Sequence, residues 1–267
     1  MFRARILLLL LTAPLLLAAQ ATDKDRKANA EALFEKGMNA LSGSALTRSE
    51  LNAATYFRSS SDLGYAPAQV VLGYFEERGI VVTSQSAARW YRKAAEQGDE
   101  LGQWLVGRAY YTGNGVVRDL NEAERWLSGP ARQGNPFAQY LLGLVYKDRD
   151  YQRAPEWFHN AAEQGLPQAQ YEYGVALLEG RGVKQDRFQA YIWLLRSSES
   201  GNPSASFRLG ELESFLGTSK VEEAKQQALK TPNRVLRSTT ANGCTGWPGE
   251  FASIPTPPPP ELHRFCR

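Results

Sequence analysis

Five glycines recur along this chain at a near-regular interval, and each is followed by another glycine nine residues later. The first series, Gly64, Gly98, Gly134, Gly165 and Gly201, has spacings of 34, 36, 31 and 36 residues. The second is Gly73, Gly107, Gly143, Gly174 and Gly210, and its offset never varies. Six residues further on lie Gly79, Gly113 and Gly180, and Gly37 with Gly43 keeps the same step. A fixed period of this length means that one supersecondary unit is copied and stacked, because a single copy cannot bury its apolar face alone. The expected architecture is therefore all-α, a solenoid of helical hairpins, with Lys27 to Gly43 as the second half of an N-terminal repeat.

Other columns keep register with the first glycine of each repeat, the marker. Eleven residues before it stand Ala53, Ala87, Ala123, Ala154 and Ala190. Eight before it are Tyr56, Trp90, Trp126, Trp157 and Trp193, followed at once by Phe57, Tyr91, Leu127, Phe158 and Leu194. Four after it come Ala68, Gly102, Ala138, Ala169 and Ala205, then Gln69, Gln103, Gln139, Gln170 and Ser206. The pattern predicts a first helix ending at a left-handed marker glycine and a second helix carrying the inner glycine. A glycine inside a helix costs about 1 kcal/mol in propensity, so its recurrence predicts close backbone approach by a neighbouring helix. The large aromatics are expected in the gap that faces the small residues. Asp119 and Asp186, each just past a G-x-G turn, are expected to cap the helix that follows. Ser219 with Glu222 is expected to form a capping box on a terminal helix through Ala224, Ala228 and Leu229, which Thr231-Pro232 ends.

These columns resemble the Sel1-like repeat, a relative of the tetratricopeptide repeat. The stretches AARWYRKAAEQGDELGQWLVGRAYYTGNGVVRD, from Ala87, and AEQGLPQAQYEYGVALLEGRGVKQD, from Ala162 to Asp186, carry the likeness, which extends over roughly Leu33 to Leu229. The third repeat departs from it, shortening to Lys147-Asp148-Arg149-Asp150, and the first has Gly79-Ile80-Val81-Val82 in place of G-x-G-V. The resemblance implies a right-handed α-solenoid of about five hairpins over residues 22–230. It also implies a non-enzymatic protein-binding module. Exported relatives include envelope adaptors and immunity proteins that neutralise antibacterial lipase effectors of the type VI secretion system. Cysteine-rich relatives resemble penicillin-binding or β-lactamase-like enzymes, but their repeat cysteines have no counterpart here.

The ends have other compositions. Arg3 and Arg5 precede an apolar run from Ile6 to Ala19 and an A-x-A site at Ala19-Gln20-Ala21, the pattern of a cleaved leader over residues 1–21. Cleavage is expected before Thr22, with a cut after Ala19 or an uncleaved anchor as the alternatives. The leader lacks a cysteine for lipid attachment, so export to the periplasm of a Gram-negative cell is expected. Residues 231–267 form a Pro-rich tail with Cys244 and Cys266, the chain's only cysteines. An even pair in an exported chain favours a disulfide, with free thiols or an intermolecular bridge as the alternatives. Without Arg3 and Arg5 the chain has 29 basic and 28 acidic residues and no basic stripe, so nothing points to nucleic acid.

No cofactor or metal is expected, and no catalytic constellation stands out. His159 and His263 are far apart, with no acidic or cysteine neighbour at metal-ligand spacing. His159 occupies the place of Arg58 and Arg92 in other repeats, which favours a solvated surface role. Glu96 and Glu163 precede their marker glycines as solvated helix-end residues. What remains is surface. Nine before the marker stand Thr55, Arg89, Arg125, Glu156 and Ile192; six before it stand Arg58, Arg92, Ser128, His159 and Leu195. These positions vary while the core columns hold. The first-helix wall, concave in a solenoid, is thus expected to bind a protein partner through Arg58, Arg89, Arg92, Lys93, Arg125, Glu156 and His159.

Overall fold

The structure is a computed structural model that describes residues 22–41, 49–80 and 86–230. The leader, Gly43, the tail and both cysteines lie outside the described residues. Two compact units divide the chain, the first running through Gly102 and the second from Gln103. The first holds α1 (22–41), α2 (Glu50–Asp62), α3 (Ala66–Glu77), α4 (Ala87–Glu96) and the first turn of α5 (Glu100–Thr112). The second holds the rest of α5, then α6 (Leu120–Arg132), α7 (Pro136–Arg149), α8 (Ala154–Glu163), α9 (Pro167–Glu179), α10 (Arg187–Glu199), α11 (Pro203–Leu216) and α12 (Thr218–Lys230). A 3-10 turn, Tyr151–Arg153, joins α7 to α8. Within each unit, successive helices pack side by side as stacked hairpins, an all-helical fold of the solenoid kind.

Local chemistry sets the helix ends. Ser49, Asp119, Asn135, Asp186 and Asn202 cap α2, α6, α7, α10 and α11, each accepting from a backbone N–H of the first turn. Both aspartates therefore do what their place after the G-x-G turn predicts. All five marker glycines have positive φ, from 85° to 96°. In each case the residue after the glycine donates its N–H to the carbonyl five residues back, as Asp99 does to Ala94 at 3.1 Å. That bond closes the end of the first helix in the left-handed turn that glycine adopts without strain. The capping box expected at Ser219 does not form at the helix start: α12 begins at Thr218, and the Gly217 carbonyl receives the Val221 N–H at 3.1 Å. Gly217, at φ 77°, turns the chain from α11 straight into α12 with no intervening loop.

The inner glycines are sockets. A Cβ on Gly143 would stand 2.5 Å from two ring carbons of Phe158. Gly37 faces Phe57 in the same way, Gly73 faces Tyr91, Gly107 faces Leu127 and Gly174 faces Leu194, all with the nearest atom under 3.0 Å. The close approach is thus made chiefly by a side chain from the next repeat, rather than by backbone as the propensity argument predicts. The five knobs are essentially dry, from 0 to 1% exposed, and each contributes roughly 1.5–3 kcal/mol through area removed from water. The column one residue earlier is less buried than expected. Trp90 and Trp193 are buried, but Trp126 and Trp157 are only half-buried and Tyr56 is exposed.

Polar side chains stitch the same joints. The Gln97 amide donates to Gln69 Oε1 at 2.8 Å, and Gln164 donates likewise to Gln139. Gln139 in turn donates to the Ala131 carbonyl at 3.0 Å, satisfying the end of α6. Ser60 and Ser197 each reach back thirty residues, to the carbonyls of Ala30 and Pro167. Tyrosine hydroxyls donate to carboxylates: Tyr91 to Glu77, Tyr146 to Glu124 and Tyr191 to Glu213, at 2.6–2.8 Å.

Burial and these bonds favour the neutral phenols. Tyr146 and Tyr151 are each pushed up to about 12, chiefly by burial, and Tyr140 and Tyr191 go higher still. The unfolded chain ionises tyrosine near pH 10, so this contribution to stability is complete below pH 10 and is lost as pH rises through 12. Denaturation midpoints measured between pH 8 and pH 12 should fall steeply above pH 10, and Tyr146→Phe should flatten part of that fall.

Candidate functional site

The seven residues expected on the first-helix wall lie on α2, α4, α6 and α8, as their columns require. Arg58, Arg89, Arg125 and Glu156 are exposed, while Arg92, Lys93 and His159 are half-buried. One neighbour in the same columns departs from this pattern. Ile192 is 3% exposed, on the helix against which α12 packs, and belongs to the core instead of to a recognition wall.

Several of these cations lie on aromatic rings rather than extending into water. In the first unit the Lys93 ammonium stands 4.3 Å from the centroid of Trp90. In the second, Arg125 stacks on Trp126 at 4.7 Å and Arg196 on Trp193 at 4.7 Å. Glu122 fixes the Arg125–Trp126 pair, binding the guanidinium at 3.3 Å and accepting from the Trp126 indole N–H at 3.1 Å. His159 is solvated on one side only. Its ring lies 4.6 Å from Tyr173 and 5.8 Å from Trp193, and its Nε2 is 3.5 Å from Glu163. Trp126 is half-exposed and Trp90 and Trp193 are buried, so the cations held against these indoles are what the face presents, on a rigid aromatic base of the composition that protein interfaces favour.

The other face of the second unit carries a cluster that the repeat columns alone do not predict. Seven residues after the marker stand Val71, Leu105 and Leu141, all buried, and then Glu172, also buried. A carboxylate thus occupies a core column. Lys147 compensates it at 2.7 Å. Around the pair lie the partly buried Tyr111, Tyr140 and Tyr151, each held above the usual phenol range by burial first and by the Glu172 charge among further causes. Asp148, next to Lys147, is held by Arg118 at 2.5 Å. The cluster sits where the third repeat lacks its glycine loop. There Gly182, from the loop of the fourth repeat, lies so close that a Cβ would meet the Tyr151 carbonyl at 2.6 Å. Its charges pair with one another, Lys147 with Glu172 and Arg118 with Asp148, which marks it as a joint between second helices. The break in an apolar column was the signal that could have found it.

Among the described residues no helix is long and apolar enough to cross a membrane. Comparison with known proteins adds the following. A family model described as the Sel1 repeat matches residues 66–99, 101–135, 136–166 and 167–202, just over half of the chain. Each match joins a second helix to the first helix of the next repeat, the same pairs that the glycine sockets join. Among solved structures, c5321, a protective antigen present in uropathogenic Escherichia coli strains displaying an SLR fold, is 29% identical with a TM-score of 0.58. That match covers 70% of this chain and 50% of the other. A Sel1 repeat protein from Oxalobacter formigenes is 27% identical with a TM-score of 0.54, covering 79% of this chain and 65% of its own. The chain thus spans less than two thirds of either relative.

Proposed function

The chain belongs to the Sel1 repeat family, and from that premise we propose that it is a non-enzymatic protein-binding module whose partner lies along the first-helix face. The observation that carries this reading is the recurrence of a cation stacked on an indole: Lys93 on Trp90, Arg125 on Trp126 and Arg196 on Trp193. In its most specific form the module is an exported immunity protein. It would bind and neutralise a phospholipase-type antibacterial effector of the type VI secretion system in the periplasm. The leader-like residues 1–21 and the family resemblance support that form, by analogy rather than by site geometry.

The test is capture by the full exported chain, tagged and recovered from periplasm of cells producing a candidate lipase effector. Co-purification of the effector and rescue of growth are expected. Reversing charge on the face, with Arg89→Glu and Lys93→Glu together or with Arg125→Glu alone, should weaken capture by about tenfold or more through lost rim and anchor contacts. Absence of both capture and protection would remove the immunity reading, and recovery of cell-wall or polymer-export components instead would favour an envelope scaffold. Capture indifferent to the charge reversals would place the partner elsewhere.

A further inference from the structure

The last inner glycine breaks the rule that the others obey. Nothing lies within 4 Å of a Cβ built on Gly210, whereas Gly37, Gly73, Gly107, Gly143 and Gly174 each face a ring or a leucine at under 3.0 Å. Its socket is open because α12 supplies too small a knob. Ala228 stands eighteen residues after Gly210, as Tyr91 does after Gly73, and Ala224, four residues earlier, is fully buried like Ala53, Ala123, Ala154 and Ala190 before four of the other knobs. Phe207 shows the same vacancy. Its counterpart Tyr140 packs on the knob Phe158 with ring centroids 6.1 Å apart, but Phe207 is 70% exposed. A short apolar stripe, Phe207 with Gly210 one turn on, is left uncovered on a helix face that every earlier repeat covers.

We infer that this stripe is the docking site for the chain's own segment Arg234-Val235-Leu236-Arg237, with Leu236 as the missing knob above Gly210. Three observations favour this occupant. Leucine already serves as the knob twice, at Leu127 and Leu194. The segment follows Lys230 by only a few residues, and six extended residues span about 20 Å, enough to cross a helix about 10 Å wide. Its two arginines flank the apolar pair, and the open face of α11 carries Glu211 and Glu213 beside Gly210. Glu211 already takes Arg208 at 3.1 Å and Glu213 takes the Tyr191 hydroxyl at 2.8 Å, but each carboxylate keeps acceptor sites for a guanidinium. The segment thereby closes the stack, covering surface that would otherwise recruit another chain.

A cysteine pair tests this directly in the full chain. Cys244 and Cys266 are replaced by serine, and Gly210→Cys is combined with Leu236→Cys; the open space at Gly210 accommodates the new side chain. Mild oxidation or a short bismaleimide should join the pair within one molecule in most of the protein, shifting monomer mobility on a non-reducing gel. Bridging only between molecules would assign the face to a second copy, and no bridging at all would refute docking of this segment. A second measurement guards against a folding defect in that background. In the otherwise native chain, Leu236→Asp should raise amide exchange across α11 by about tenfold, and unchanged exchange would overturn the inference.

Discussion

Gly143→Val is expected to lower the unfolding free energy by about 3 kcal/mol, because the added methyls must displace a ring that has nowhere to go. The would-be Cβ stands 2.5 Å from two carbons of Phe158, whose side chain is 0% exposed. Phe158→Ala alone should cost about 4 kcal/mol by emptying the same joint. Combined, the two changes should be far from additive, since the valine occupies part of the space the ring leaves, with a coupling of about 2 kcal/mol. Gly134→Ala is the control. That glycine has φ 96° and no atom within 4 Å of its Cβ, so only left-handed strain of about 1 kcal/mol applies. Urea titrations at constant slope distinguish these outcomes; equal losses at Gly143 and Gly134 would show that the inner glycine is not a socket.

Lys147→Met should be the most damaging change among the charged residues, costing about 2 kcal/mol, because it leaves Glu172 in an apolar column without its cation. The cost stays below that of a fully dry pair because the Lys147 side chain is 35% exposed against 12% for Glu172. Glu172→Leu restores the residue type of Leu105 and Leu141 and should be nearly neutral in stability. The double variant Lys147→Met with Glu172→Leu should recover most of the loss from Lys147→Met. Failure of Glu172→Leu to rescue would mean that Lys147 acts through its alkyl packing and not through the pair.

The repeat architecture was legible because its residues are local and recur. The marker glycines, the capping aspartates and the second-helix alanines each have one physical reason to sit where they do, and the reason acts within a few residues. The stacking contacts were legible only in part. A column of tryptophans looks like core, yet Trp126 and Trp157 lie half-exposed while the residue just after each one turns fully inward. Burial therefore falls on Leu127 and Phe158, a difference of one position that residue size alone does not reveal. The ring contacts of His159 were illegible for a related reason: its partners, Tyr173 and Trp193, belong to later helices and are brought to it only by stacking. Glu172 could have been noticed from its column, but Lys147 lies twenty-five residues away at a different offset in the preceding repeat. The open socket at Gly210 was hidden altogether, since the glycine persists in sequence where its knob does not.

Side-chain footprinting of the captured complex tests the binding face most directly. Hydroxyl radicals oxidise accessible aromatic rings, and Trp126 and Trp157 are open enough on the first helices of the second unit to report contact. A partner seated there should reduce their oxidation severalfold while leaving Tyr111 on α5 and Tyr151 in the turn between α7 and α8 unchanged. Protection of Tyr111 and Tyr151 with Trp126 and Trp157 still reactive would contradict the account and move recognition to the opposite helices.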